Sequence, residues 1–149
     1  MKKSALTLLL LPLTLLACGG SSGPTSTPVP TKAPITAAMN AVAGSGVTGT
    51  TEVVKGTGSF DLTVKLTGLQ PNSVHVAHIH KGSCAAAGPI AFALQSIQAD
   101  ATGKATVKST VATDYVVPAG GWYANVHAGP DLTTAANAKG ISCGDLSAG

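Results

Sequence analysis

Between residues 47 and 149, apolar and polar positions alternate in short runs separated by turn residues, which is the pattern of strands and not of helices. Phe60, Leu62, Val64 and Leu66 alternate with Asp61, Thr63, Lys65 and Thr67, predicting a strand with one face in a core. Gly68 and Pro71-Asn72-Ser73 turn the chain into a second strand that runs to His80. Ile90 to Leu94 reads as a third, and Asp100-Ala101-Thr102-Gly103 as a turn into Lys104 to Val111, its expected hairpin partner. Pro118-Ala119-Gly120-Gly121 leads into a strand from Trp122 to His127. A loop rich in Ala, Thr and Asn then reaches Ile141-Ser142-Cys143, the expected last strand. No long helical period competes, so the pattern predicts an all-β domain, an antiparallel sandwich.

The N-terminal part follows different rules. Lys2 and Lys3 precede a nearly unbroken apolar run, Leu8 to Leu16, which reads as a secretory signal and is too short for a permanent membrane span. Leu15-Leu16-Ala17-Cys18 resembles the bacterial lipobox, so Cys18 is the expected lipidation site and residues 1–18 the signal segment. A lipid on Cys18 would hold the protein on a membrane surface, on the periplasmic or cell-surface side, without spanning it. Residues 19–46 are mostly Gly, Ser, Thr, Pro and Ala and read as a disordered tether. Its reach is roughly 30 Å as a coil and up to about 85 Å extended. Within it, Pro34 to Ala43 permits a short helix with proline in the first turn. The folded domain is expected over residues 47–149.

Three cysteines constrain the compartment. With Cys18 taken by lipid, Cys84 and Cys143 remain as a pair in an oxidising environment. Charge excludes one class of partner. Lys2 and Lys3 leave with the signal, so that of nine basic residues seven remain against six acidic ones, with no arginine anywhere. No basic strip interleaved with aromatics is left to bind nucleic acid.

The chemistry gathers in His75-Val76-Ala77-His78-Ile79-His80, which carries three of the four histidines. On a strand His78 and His80 share one face, while His75 shares the other with Ala77 and Ile79. Two imidazoles side by side can chelate a metal. His127 ends another alternating run and would supply a third nitrogen if the fold places the two runs together. Imidazole suits copper and zinc, and Cu(II) stands highest for nitrogen ligands. Histidines hydrogen-bonded to backbone and carrying no metal are the alternative for the same residues. Trp122 and Tyr123 read as packing residues.

Five motifs in order resemble a shortened copper,zinc superoxide dismutase and the related chordin-type CHRD domain. They are Ser73 to His80 with Gly82-Ser83-Cys84, Gly88-Pro89, Asp100 to Ala105, Val126 to Asp131, and Ile141 to Gly144. The resemblance extends from about Gly56 to Leu146 and implies a Greek-key β-sandwich. It implies His78, His80 and His127 as copper ligands, His75 as a structural brace, and a Cys84–Cys143 bridge tying a loop to the last strand. The sequence also departs from the dismutases. Only Ala85-Ala86-Ala87 separates Cys84 from Gly88, leaving no room for the zinc-binding loop or the histidine that bridges copper and zinc there. With no arginine to attract superoxide, efficient dismutation is not expected. Three functions follow: a membrane-anchored copper-binding protein, a weak copper-only redox enzyme, or a metal-free adhesion or interaction module. Nothing in the chain names a protein partner.

Overall fold

A computed structural model describes residues 33–149. The signal segment, the lipobox cysteine and residues 19–32 of the tether lie outside those residues. The described chain forms β1 (Ile35–Ala41), β2 (Thr48–Lys55), β3 (Phe60–Thr67), β4 (Val74–His75), β5 (Ala77–Gly82), β6 (Ala87–Ala93), β7 (Ile97–Gln98), β8 (Ala105–Val111), β9 (Trp122–His127), α1 (Ala135–Ala138) and β10 (Gly140–Leu146). Eight strands make one antiparallel sheet in the order β6-β5-β9-β10-β1-β2-β3-β8, and β4 pairs with β7 beside it.

The sheet curls so that its two halves face each other across one core. Phe60 of β3 lies 6.2 Å from Phe92 of β6 and 6.3 Å from Trp122 of β9, ring centre to ring centre, so strands far apart in the sheet order meet in space. Phe60, Leu62, Val64 and Leu66 are all buried, as their alternation predicts. Each contributes about 2 kcal/mol of apolar burial. Ile79 and Val126 enter the same core from β5 and β9.

Two expectations are corrected. Ile90 to Leu94 and Lys104 to Val111 do not form a hairpin: β6 pairs with β5, and β8 pairs with β3. After β6 the chain crosses through β7 to the opposite half of the sheet, and after β8 it crosses back to β9. These crossings build the Greek-key arrangement, which short-range turn signals do not encode. The second correction concerns the stretch assigned to the tether. Pro34 to Ala43 is not a helix, and the sheet begins before residue 47, because β1 runs through that stretch. From Ile35↔Val53 to Met39↔Gly49, β1 pairs with β2, and Asn40 and Ala41 then pair with Cys143 and Ser142 of β10. It is the strand that joins the two halves. Met39, 1% exposed, anchors it in the core, and that burial overrides the helix preference of its alanines.

Candidate metal centre

Strands β5 and β9 are antiparallel neighbours, with His78 opposite Asn125 and His80 opposite Tyr123. Strand parity sorts their side chains. Ala77, Ile79, Ala124 and Val126, each at most 1% exposed, point into the core. His78, His80, Tyr123, Asn125 and His127 therefore share the outer face. The core side fixes the backbone, and the backbone fixes where the imidazoles stand.

The structure brings His78, His80 and His127 together. Their ring centres are 5.2–5.8 Å apart, and one nitrogen from each lies within 4.8 Å of the others. Two metal–nitrogen bonds span about 3.4–4.2 Å, so closing on an ion asks the rings to draw in by roughly an ångström. His80 and His127 are buried, while His78 is half-buried and opens the cluster toward solvent.

Backbone carbonyls set which nitrogens are free. The Nδ1–H of His80 donates to the Gly88 carbonyl at 2.9 Å, leaving Nε2 as a lone pair that is buried and meets no hydrogen-bond partner. The Nδ1–H of His127 donates to the Ala138 carbonyl at 2.7 Å, so its Nε2 also faces the cluster as an acceptor. His78 brings Nδ1, again buried and unpartnered. Unsatisfied buried nitrogens are costly in a native protein, and here two of them point at one space. A cation placed there would satisfy both, so the residues fit a metal through one Nδ1 and two Nε2 atoms.

The electrostatics favour the neutral rings that metal ligation requires. Burial pushes the His78 imidazole below its ordinary pKa, and the neighbouring His127 and His80 push it further in the same direction. Burial also lowers His127, against an opposing pull from the Ala138 carbonyl it donates to and with a smaller push from His80.

The surrounding parts hold these rings. Tyr123 stacks on His80 at 5.0 Å with 24° between the planes, so it packs against the cluster. Cys84 and Cys143 form a disulfide with 5.9 Å between Cα atoms. The Cys84 N–H donates to Asp145 Oδ1 at 2.7 Å, which further binds the β5–β6 turn to β10. That turn leads into Gly88, the residue that orients His80. Gly82 opens it at φ +103°, where a Cβ would run into the Ala86 carbonyl, so only glycine fits. On the other side α1, capped by the Thr134 hydroxyl, ends by presenting the Ala138 carbonyl to His127. His75 stands outside the cluster. Its Nδ1–H donates to the His127 carbonyl at 2.9 Å, and its Nε2 lies 2.7 Å from the Ser73 hydroxyl, which is also hydrogen-bonded to the Gln70 carbonyl.

Sequence reasoning missed the carbonyls of Gly88 and Ala138 and the side chain of Asn125. Backbone carbonyls carry no sequence signal. Asn125 did carry one: it lies two residues before His127 and so on the same strand face.

Fold and cluster together define a superoxide-dismutase-like β-sandwich with a three-histidine site on its outer face. The chain belongs to the CHRD domain family, whose model matches residues 21–130, a span that includes all four histidines. No curated protein matches it in sequence. Among solved structures it is similar to a SOD-like protein from Bacillus subtilis, with a TM-score of 0.61 and 17% identity over 75% of this chain and 97% of that one. A double mutant of a SOD-like protein from the same organism gives 0.59 and 17%, over 77% of this chain and 99% of that one. A single mutant gives 0.61 and 21%, over 74% and 96%. At these identities the likeness is one of fold.

Proposed function

We propose that this protein binds one copper ion outside the cytoplasm through His78, His80 and His127, tethered to a membrane surface by lipid on Cys18. The observation that carries the metal reading is the pair of buried, unpartnered nitrogens, His80 Nε2 and His78 Nδ1, aimed at the space His127 Nε2 also faces. A histidine brace without metal would have its nitrogens paired, as both nitrogens of His75 are. That contrast argues against a purely structural or adhesive role for the cluster. Copper is favoured over zinc because three neutral imidazoles are nitrogen ligands, for which Cu(II) stands highest. An oxidising compartment, in which the Cys84–Cys143 disulfide persists, agrees with a lipid-anchored location.

A bound copper ion would supply one-electron redox chemistry. The protein's own part is to hold His80 and His127 as fixed tautomers through Gly88 and Ala138, and to exclude water from two of the three rings. A weak redox activity is the second reading, favoured by the half-buried His78 that leaves one side open to small molecules. With no arginine in the chain, nothing bidentate draws an anion to that opening. Binding and buffering of the ion is therefore the leading function.

Copper titration followed by electron spin resonance tests this, run beside a variant with His78, His80 and His127 replaced by alanine. The expected result is one equivalent bound with nitrogen couplings, lost in the variant, and negligible superoxide turnover. Equal and unspecific binding by both proteins would end the metal reading. Rapid turnover would move the second reading to first.

A further inference from the structure

We propose that Asn125 is the fourth polar group of this centre. In the metal-free protein its amide nitrogen caps His127; with an ion bound, its carbonyl oxygen turns to the ion. This rests on the metal-binding reading above and extends it to a residue outside the histidine cluster.

Register and parity place Asn125 within the site. It lies directly opposite His78 across the β5–β9 ladder and two residues before His127 on β9, so its side chain shares their face. Its Nδ2 is 3.3 Å from His127 Nε2. The chemistry decides which end of the amide faces the ring. His127 already spends its one N–H on the Ala138 carbonyl, so Nε2 can only accept. An amide oxygen there would set lone pair against lone pair, and the NH2 must face inward.

An ion on Nε2 reverses that preference. It takes the lone pair that Nδ2 now uses, and it would face the positive end of the amide N–H bonds. The amide oxygen, by contrast, is a neutral ligand that divalent ions accept. A half-turn about Cβ–Cγ exchanges the two atoms nearly in place, and that torsion is broad and two-fold in asparagine. The neighbouring strand leaves room for the side chain. Gly140, opposite His127 on β10, has no side chain; a Cβ there would stand 3.0 Å from Asn125 Oδ1 and 3.4 Å from Nδ2.

The same face therefore carries three imidazoles, one amide and the Tyr123 ring. Among the described residues, the histidines are the one group of three or more His, Cys, Asp or Glu that can hold an ion, and no carboxylate joins them. Of the two oxygen-bearing side chains named on this face, Tyr123 lies stacked along the His80 ring, whereas the Asn125 amide already stands against His127 Nε2, so an oxygen ligand from this face comes from Asn125.

The test uses the intact protein with Zn(II) and Cu(II) as probes. Competition titrations compare wild type with Asn125→Leu, which keeps the bulk and removes the amide, and with Asn125→Asp, which offers oxygen in either orientation. Asn125→Leu should weaken binding about tenfold or more, and Asn125→Asp should bind at least as tightly as wild type. Unchanged or tighter binding by Asn125→Leu overturns the proposal, since the amide would then only compete with the ion. A second measurement needs no variant: Zn(II) should shift the Asn125 side-chain amide resonances as Nδ2 leaves Nε2, and resonances unmoved at saturating zinc overturn the proposal as well. If wild type binds neither metal, the metal reading falls and takes this one with it. If wild type binds and only the Asn125 results fail, the three-histidine reading stands alone.

Discussion

His75 donates from Nδ1 to the backbone carbonyl of His127 at 2.9 Å, so a histidine outside the cluster fixes the strand end that carries one member of it. Its other nitrogen meets the Ser73 hydroxyl, and the side chain is buried. Replacing it by alanine leaves the His127 carbonyl without its donor inside the protein. His75→Ala should lower the stability of the metal-free protein by about 1–3 kcal/mol. Metal stoichiometry should stay at one. Denaturant unfolding in the presence of a chelator reads the first effect and metal analysis the second; loss of the metal with stability intact would make His75 a ligand.

Acid should unfold the metal-free protein in a window set by the cluster. The pKa values of His78 and His127 are both lowered from the ordinary 6.5, first by burial. Between the lowered folded values and the unfolded one, the unfolded chain binds more protons, so stability rises with pH there. Their contribution is thus complete above about pH 6.5 and is lost as the pH falls through the folded values. Unfolding midpoints of wild type should decline below that point, and those of the triple alanine variant should decline less. Metal binding should persist somewhat below pH 6.5 for the same reason, since protons compete less well for a depressed imidazole. Asp61, Asp100 and Asp131, lowered by hydrogen bonds to their neighbours, lose their contribution only in the more acidic carboxylate range.

Local periodicity made parts of this legible before any coordinates. The alternation from Phe60 to Thr67 located β3, and parity separated His75 from His78 and His80. That β5 lies beside β9 was not legible, because strand pairing depends on side chains 45 or more residues apart filling one core. The pairing of Lys104 to Val111 with the wrong partner has the same origin. In β1 a period-2 signal exists, Ile35, Ala37 and Met39 facing inward, but alanine on both faces blurs it.

The placement of β1 leads to a prediction about truncation. A chain beginning at residue 47 lacks the strand that pairs with both β2 and β10, and with it the buried Met39. Exposing one such side chain alone forfeits about 1.5–3 kcal/mol, before the two ladders are counted. A chain beginning at Thr31 should unfold cooperatively, and one beginning at Val47 should not. Thermal unfolding by circular dichroism distinguishes them; equal midpoints would mean that β1 is dispensable.

Reduction of the Cys84–Cys143 disulfide should act on stability and on metal affinity together. The bridge spans 59 residues, and opening it restores loop entropy to the unfolded chain, lowering stability by about 4 kcal/mol. It also frees the β5–β6 turn, leaving the Cys84 N–H bond to Asp145 as the tie to β10. The turn precedes Gly88, whose carbonyl holds His80 in the tautomer that presents Nε2. A looser carbonyl lets the ring turn and its proton move to the other nitrogen, so affinity should fall by about tenfold, the lower end of what an orienting partner supplies. Replacing both cysteines by alanine and titrating with copper at a temperature where the variant remains folded separates the two effects. Wild-type affinity in that variant would show that β6 holds Gly88 in place through its pairing with β5 alone, and that the disulfide serves stability only.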